Sequence, residues 1–290
     1  MDAVSGDCAC PCVSVDLEHL VALLRDATRP VATAAKLLLG KRLCAASGVC
    51  ARIVEVEAYE GPWDEAAHSY GGKITERTKT MFLEGCHCYI FLIYGMYHCL
   101  NITTRSEGQP CAILIRAVEP LEGSDQMAQN RRRNSTSSKS SSDSCRSADS
   151  RPPKPMKLQL LCSGPGRLCQ AFQITRESHD GAPLDIPGKK LWLEWEPDLP
   201  PQRIGCSRRI GIDYASDYWA YKKWRFFDLE AQERGMVSKD PPPRRQKPCR
   251  KIFETLAAQR LRQEAQEKHA TEEGQSIEGE RVSPPRKRSK

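Results

Sequence analysis

Residues 52–69 read RIVEVEAYEGPWDEAAHS, and their first half alternates with the period of a strand. Across Cys50–Tyr59, the spacing sets Ile53, Glu55, Glu57 and Tyr59 on one face and Val54, Val56 and Ala58 on the other. The chain then runs Gly61-Pro62-Trp63-Asp64-Glu65-Ala66-Ala67-His68. A carboxylate beside an aromatic ring, with a histidine nearby, suits a general base next to a stacked ligand. A solvated strand face with polar residues fits the same letters.

Upstream of this strand, Leu17, Leu20, Val21 and Leu24 recur at helical spacing. Pro30 opens a second helix with Val31, Ala35, Leu38 and Leu39 as its apolar face, stopped by Gly40. Downstream, Cys88–Tyr94 is an aromatic and β-branched run that Gly95-Met96 turns into Tyr97–Thr103, a predicted hairpin. Cys111–Val118 reads as a buried strand carrying one charge, Arg116. Helix is expected within Leu158–Phe172, around Gly164-Pro165-Gly166, and strands over Leu191–Trp195, Arg203–Asp213 and Trp224–Leu229.

The ends and one internal stretch differ in composition. Residues 1–15 read as a disordered leader, and 124–155, rich in Ser and Arg and closed by prolines, as a disordered surface insertion. A folded domain is expected over 16–238, and 239–290 as a basic, largely disordered tail with a short amphipathic helix at Ile252–Ala265. The net charge of +7 is uneven: residues 241–290 hold 13 Lys/Arg against 7 Asp/Glu, and 124–155 hold 7 against 3. The rest is slightly acidic, so a polyanion would have to be met by a local patch rather than by bulk charge. No apolar run is long enough to span a bilayer, and the N-terminus lacks the pattern of a secretory signal. The fourteen cysteines are scattered with no C-x-x-C spacing, so reduced, structural thiols are expected. The six histidines show no ligand spacing, and no metal or other cofactor is expected.

Two further groups invite chemistry. Tyr89, Phe91, Tyr94 and Tyr97 crowd the hairpin, where one ring can line a pocket while another projects from the turn; packing in a core is the alternative. Arg116, inside an apolar strand, needs a buried partner, either a structural ion pair or Glu57.

Taken in order, RIVEVEAYEGPWDEAAHS, YGMYHCLNIT, LIRAVEPLEG and LCSGPGRLCQAF resemble the alkyladenine (3-methyladenine, or N-methylpurine) DNA glycosylases over about Arg29 to Val237. The resemblance implies an α+β fold: a single mixed domain around a curved, mostly antiparallel sheet, with flanking helices and a protruding β-hairpin pressed into the minor groove. Glu57 matches the general base that activates water, and Arg116 and the backbone carbonyl of Ile210 match groups that hold that water. Tyr59, His68 and Phe91 match the walls of the base pocket, Asn101 the residue that crowds the amine of guanine, and Tyr94 the wedge left in the DNA stack. Phe91 stands where the family usually has Tyr, which removes a hydroxyl. The implied activity is first-step base excision repair: hydrolysis that releases alkylated purines, hypoxanthine or ethenoadenine from double-stranded DNA and leaves an abasic site.

Arg203, Arg208, Arg209, Lys222, Lys223 and Arg225 form a basic stretch that suits phosphate contacts. The terminal Pro284–Lys290 run reads as a nuclear-localisation segment, so a nuclear, monomeric enzyme is expected, with a mitochondrial pool as a second location. Two other readings stay open: a catalytically silent binder of damaged DNA, and an RNA-binding module built on the Ser-Arg segment. The second leaves Glu57, Arg116 and Asn101 without a purpose.

Overall fold

The alternating stretch becomes β2 (Val49–Glu60), the strand around which the molecule is organised. The computed structural model describes residues 15–136 and 156–241. The leader up to residue 14, the span 137–155, the Ile252–Ala265 helix and the terminal basic run lie outside the described residues.

The other strands are β1 (Arg42–Ala45), β3 (Cys88–Ile93), β4 (Tyr97–Thr104), β5 (Cys111–Glu122), β6 (Leu191–Glu194), β7 (Ile204–Ser207) and β8 (Arg225–Asp228). The helices are α1 (Val15–Arg25), α2 (Val31–Leu38), α3 (Ser124–Thr136), α4 (Pro165–Phe172), α5 (Arg176–His179), α6 (Asp217–Tyr221) and α7 (Leu229–Glu233). One eight-stranded sheet runs β3-β4-β5-β2-β1-β6, and β8 pairs both β2 and β7. Every pairing is antiparallel. Helix and strand are therefore mixed around one antiparallel sheet. These elements pack as one unit, from which Ser216–Tyr218 are excluded.

Register decides which side chains share a face. Val56 pairs with Ile115 and Ala58 with Ile113; Ile113 pairs in turn with Ile102, and Ile90 with Leu100. All of these belong to the main core, together with Leu17, Leu20 and Leu24 of α1, Val31 and Leu38 of α2, and Leu168 and Phe172 of α4. Each fully buried aliphatic side chain there contributes roughly 1.5–3 kcal/mol. The intervening residues must point to the opposite side of the sheet.

The alternation is broken once, and the break matters. Pairing with β5 shifts between Ile53 and Glu55 and shifts back between Glu55 and Val56, an irregularity that leaves Val54 of β2 and Arg116 of β5 out of the pairing. Ile53 consequently joins the main core with Val56, rather than sharing a face with Glu57. Glu55 and Glu57 are both fully buried, which removes the reading of β2 as a solvated strand face.

Three other expectations are corrected. Ser124–Thr136 is helix α3 and not part of a disordered insertion: Met127 is buried, and the buried Asn130 side chain donates to the Ala171 carbonyl at 2.8 Å, which docks α3 on α4. Only Ile204–Ser207 of the Arg203–Asp213 stretch is strand, because Arg209 leaves the ladder to bond elsewhere. Cys44 and Cys50, register partners on β1 and β2, form a disulfide, where reduced thiols were expected. Cys86, Cys88, Cys99, Cys111, Cys162 and Cys169 are free and buried.

Candidate active site

Across the four strands β2, β5, β4 and β3, Glu57 pairs with Leu114, Leu114 with Asn101, and Asn101 with Tyr89. Directly opposed residues of antiparallel strands project to the same side. That row therefore lies on the face turned away from the main core. Tyr59 opposite Ala112, Arg116 two residues from Leu114, and Phe91 opposite Cys99 share it. The sheet thus brings Glu57, Tyr59, Phe91, Asn101 and Arg116, from four strands, onto one surface.

The floor of this surface is charged. Glu57 Oε1 accepts the Ile210 backbone N–H at 2.7 Å, and Oε2 accepts the Tyr59 hydroxyl at 2.8 Å. One Nη of Arg116 lies 3.3 Å from the same Oε2. The contact from Ile210 is therefore its amide, whereas the resemblance pointed to its carbonyl. Burial, followed by the Glu57 charge, pushes the Tyr59 phenol well above its ordinary pKa, so it stays a donor. Arg116 does not serve Glu57 alone: its Nε donates to Glu55 Oε1 at 2.9 Å. The same Oε1 takes Arg225 Nε at 2.7 Å, and Glu55 Oε2 takes the Ser238 N–H and hydroxyl, each at 2.9 Å. Burial alone would raise the Glu55 carboxyl, but the Arg116 and Arg225 charges outweigh it and hold the group below the usual range. For Arg116, burial opposes the charge, and Glu57 and Glu55 reverse that and raise its pKa above the normal arginine value.

The walls are aromatic. His68 Nδ1 meets the Tyr89 hydroxyl at 2.9 Å, and its ring lies 4.1 Å from that of Phe91. His68 is exposed on one side, but desolvation by its neighbours first, and the Arg77 charge second, lower its pKa to about 4, so the imidazole is neutral near pH 7. The Arg77 guanidinium sits 4.1 Å from the Phe91 ring centre. Tyr89, which the sequence offers only as one of the hairpin aromatics, stands two residues before Phe91 on β3 and shares its face. Asn101 is buried, and its amide donates to the carbonyls of Tyr89 (3.1 Å) and Cys99 (3.3 Å).

The loop that brings His68 to the sheet is held by Asp64, a residue to which the sequence reading gave no role. Asp64 accepts the backbone N–H groups of Ala66 (2.9 Å) and Glu60 (3.3 Å) and a two-pronged ion pair from Arg209. Arg209 also donates to the carbonyls of Ala58 (2.8 Å) and Trp219 (3.2 Å), and its guanidinium lies 4.7 Å from the centre of the Tyr59 ring. Gly61 is required here: a Cβ would stand 1.9 Å from Ser69 Oγ.

At the far end of the β3–β4 hairpin, Tyr94 and Gly95 both have positive φ, and Met96 N–H closes the turn on the Ile93 carbonyl at 3.2 Å. Tyr94 is 82% exposed, standing clear of the protein on a hydrogen-bonded turn. Behind it, α4 begins at Pro165, and a Cβ on Gly166 would press on the Tyr97 ring at 3.2 Å. The glycine lets helix and hairpin meet.

The expected phosphate-binding stretch is cut by half. Arg209 and Arg225 are buried in the ion pairs above, and Arg203 binds Asp228 through two 2.7 Å hydrogen bonds. Charges so committed are not offered to a ligand. Of the others, Arg208 lies 3.8 Å from Asp213, Lys222 sits over the Trp219 and Trp224 rings at 3.9 and 4.1 Å, and Lys223 is exposed.

A buried carboxylate held by an arginine, a tyrosine and a backbone amide, on a sheet face that also carries aromatic side chains, with a projecting tyrosine at the hairpin tip, is the equipment of a hydrolase that acts on a stacked ring. The family model for methylpurine-DNA glycosylase matches residues 25–232. A protein of Alkaliphilus oremlandii named as a 3-methyladenine DNA glycosylase is 43% identical over 202 residues, 69% of this chain and 91% of that one. One of Methanocella arvoryzae, named likewise, is 40% identical over 217 residues, 74% of this chain and 94% of that one. The chain belongs to the methylpurine-DNA glycosylase family and is a DNA glycosylase.

Proposed function

We propose that the protein flips damaged purines out of duplex DNA and hydrolyses their N-glycosidic bonds, leaving an abasic site and opening base excision repair. Its substrates in this reading are 3-methyladenine, 7-methylguanine, hypoxanthine and ethenoadenine. The observation that carries it is the full burial of Glu57 beside Arg116 and Tyr59 on the sheet face that also bears Phe91 and Asn101. Breaking the bond leaves the sugar with oxocarbenium character, which a nearby carboxylate stabilises while it takes a proton from the attacking water. Two hydrogen bonds and the Arg116 ion pair take up three of the roughly four acceptor positions of a carboxylate; the remaining one, on Oε1, takes the proton.

The aromatic walls favour a purine made cationic by alkylation, by about 0.5–2 kcal/mol per good contact. Neutral His68 adds no competing charge. Tyr94 enters the space the flipped base leaves, a role its exposure at the tip of a hydrogen-bonded turn supports. Single-turnover excision on duplexes carrying each of the four bases tests the assignment. Release from none of them, with tight binding retained, would favour the silent damage binder instead. The protein acts as a monomer in this reading, checked by sedimentation, and the terminal basic run directs it to the nucleus, checked by deleting residues 286–290 and following its accumulation there.

A further inference from the structure

We infer that Glu55 is a positioning residue for the reaction: it holds Arg116 by Nε so that only one Nη reaches Glu57. The inference rests on Glu57 being the base. A guanidinium next to a carboxylate frequently closes on it with two parallel hydrogen bonds, and this chain shows that outcome where Arg209 grips Asp64. Arg116 departs from it. Its contact with Glu57 is one-pronged at 3.3 Å, and the shorter bond, 2.9 Å, goes to Glu55. The register places Glu55 opposite Ala117 and Glu57 opposite Leu114, so Arg116, which lies between those two β5 positions, reaches both carboxylates.

Glu55 is itself fixed from the far side by Arg225 and by both donors of Ser238, so four donors occupy its two oxygens. Arg225 is anchored in turn by Asp240 at 2.7 Å. The pull on Arg116 therefore comes from a carboxylate that cannot turn away. A neutral residue at position 55 would release Nε, the fork would close on Glu57, and the base would be bound up as Asp64 is.

The charge at position 55, rather than its shape, is what this arrangement needs, and two variants separate them. Glu55→Gln keeps the shape and loses the charge; Glu55→Asp keeps the charge and shortens the reach. Single-turnover excision from a hypoxanthine or methylpurine duplex and affinity for the same duplex are measured for both. The expected result is a rate at least about tenfold lower for Glu55→Gln with affinity held within about threefold, and a faster rate for Glu55→Asp than for Glu55→Gln. A packing role predicts the reverse order, and that order, or affinity falling in step with rate, overturns the inference. Should Glu55→Gln not fold, Ser238→Ala removes one donor from Glu55 and leaves the charge. Its rate is expected to drop about two- to fivefold at constant affinity, and a parent-like rate overturns the inference. Glu57→Gln is run alongside. Parent-like excision by that variant removes the base assignment itself, whereas a failed pattern at position 55 with Glu57→Gln inactive removes only the inference.

Discussion

Asp64 and Glu57 are buried carboxylates seven residues apart, and each touches an arginine, yet they are built for different work. Asp64 receives two backbone N–H groups and both prongs of Arg209, so its acceptor positions are full. Glu57 receives one backbone N–H, one phenol and a single distant prong of Arg116. A saturated buried carboxylate holds a loop in place; an incompletely engaged one retains the capacity to take a proton. Burial and an ion pair do not by themselves mark a catalytic acid, and the count and reach of its donors separate the two.

The sharpest way to break this contrast is to neutralise each acid in turn. Glu57→Gln is expected to slow single-turnover excision by about 10²–10⁴-fold while the thermal midpoint stays near that of the parent. Asp64→Asn leaves Arg209 buried without its counter-charge and is expected to cost about 3–5 kcal/mol of stability, read by urea unfolding. If Asp64→Asn proves as stable as the parent and Glu57→Gln does not, the roles assigned here are reversed.

The hairpin and the pocket walls give smaller effects. Tyr94→Ala should weaken binding to damaged duplex by about 1–3 kcal/mol, the scale of one base–aromatic stack, without altering the folded state, since the ring touches solvent. A titration at constant salt measures it. For His68, the folded pKa of about 4 lies below the usual histidine value of 6.5, so the unfolded chain takes up the proton first as the solution is acidified. Stability contributed at this position is full above pH 6.5 and is lost progressively toward pH 4. Midpoints at pH 7 and pH 5 should differ less in His68→Gln than in the parent; an equal difference contradicts a neutral imidazole. The smallest change is expected from Phe91→Tyr, where a restored hydroxyl contributes about 0.5–1.5 kcal/mol if it finds a partner. It should show as an altered ratio of hypoxanthine to methylpurine excision rather than as a change in binding.

Much of the frame was legible in the letters. The periods of Leu17–Leu24 and Cys111–Val118, the turn at Gly95-Met96 and the lone charge of Arg116 fixed element type and marked a residue that had to find a partner, because backbone geometry and the cost of a bare buried charge are local facts. The segment 124–136 was misread for the same reason. Its polar letters look unstructured until Asn130 meets the Ala171 carbonyl, a contact 41 residues away. Family strings carried the site residues, but they said nothing of Glu55, Asp64 or Tyr89.

What the sequence determined alone was the presence of every described strand except β1, the aromatic hairpin and the acids available on β2, since alternation and turn chemistry need only neighbouring residues. Tertiary structure decided which arginines are committed to internal ion pairs: Arg203, Arg209 and Arg225 look like Lys223 in a one-dimensional charge count. It also decided which glutamate Arg116 grips more closely. Strand register sets those distances, and it depends on pairing between segments that lie far apart in the chain.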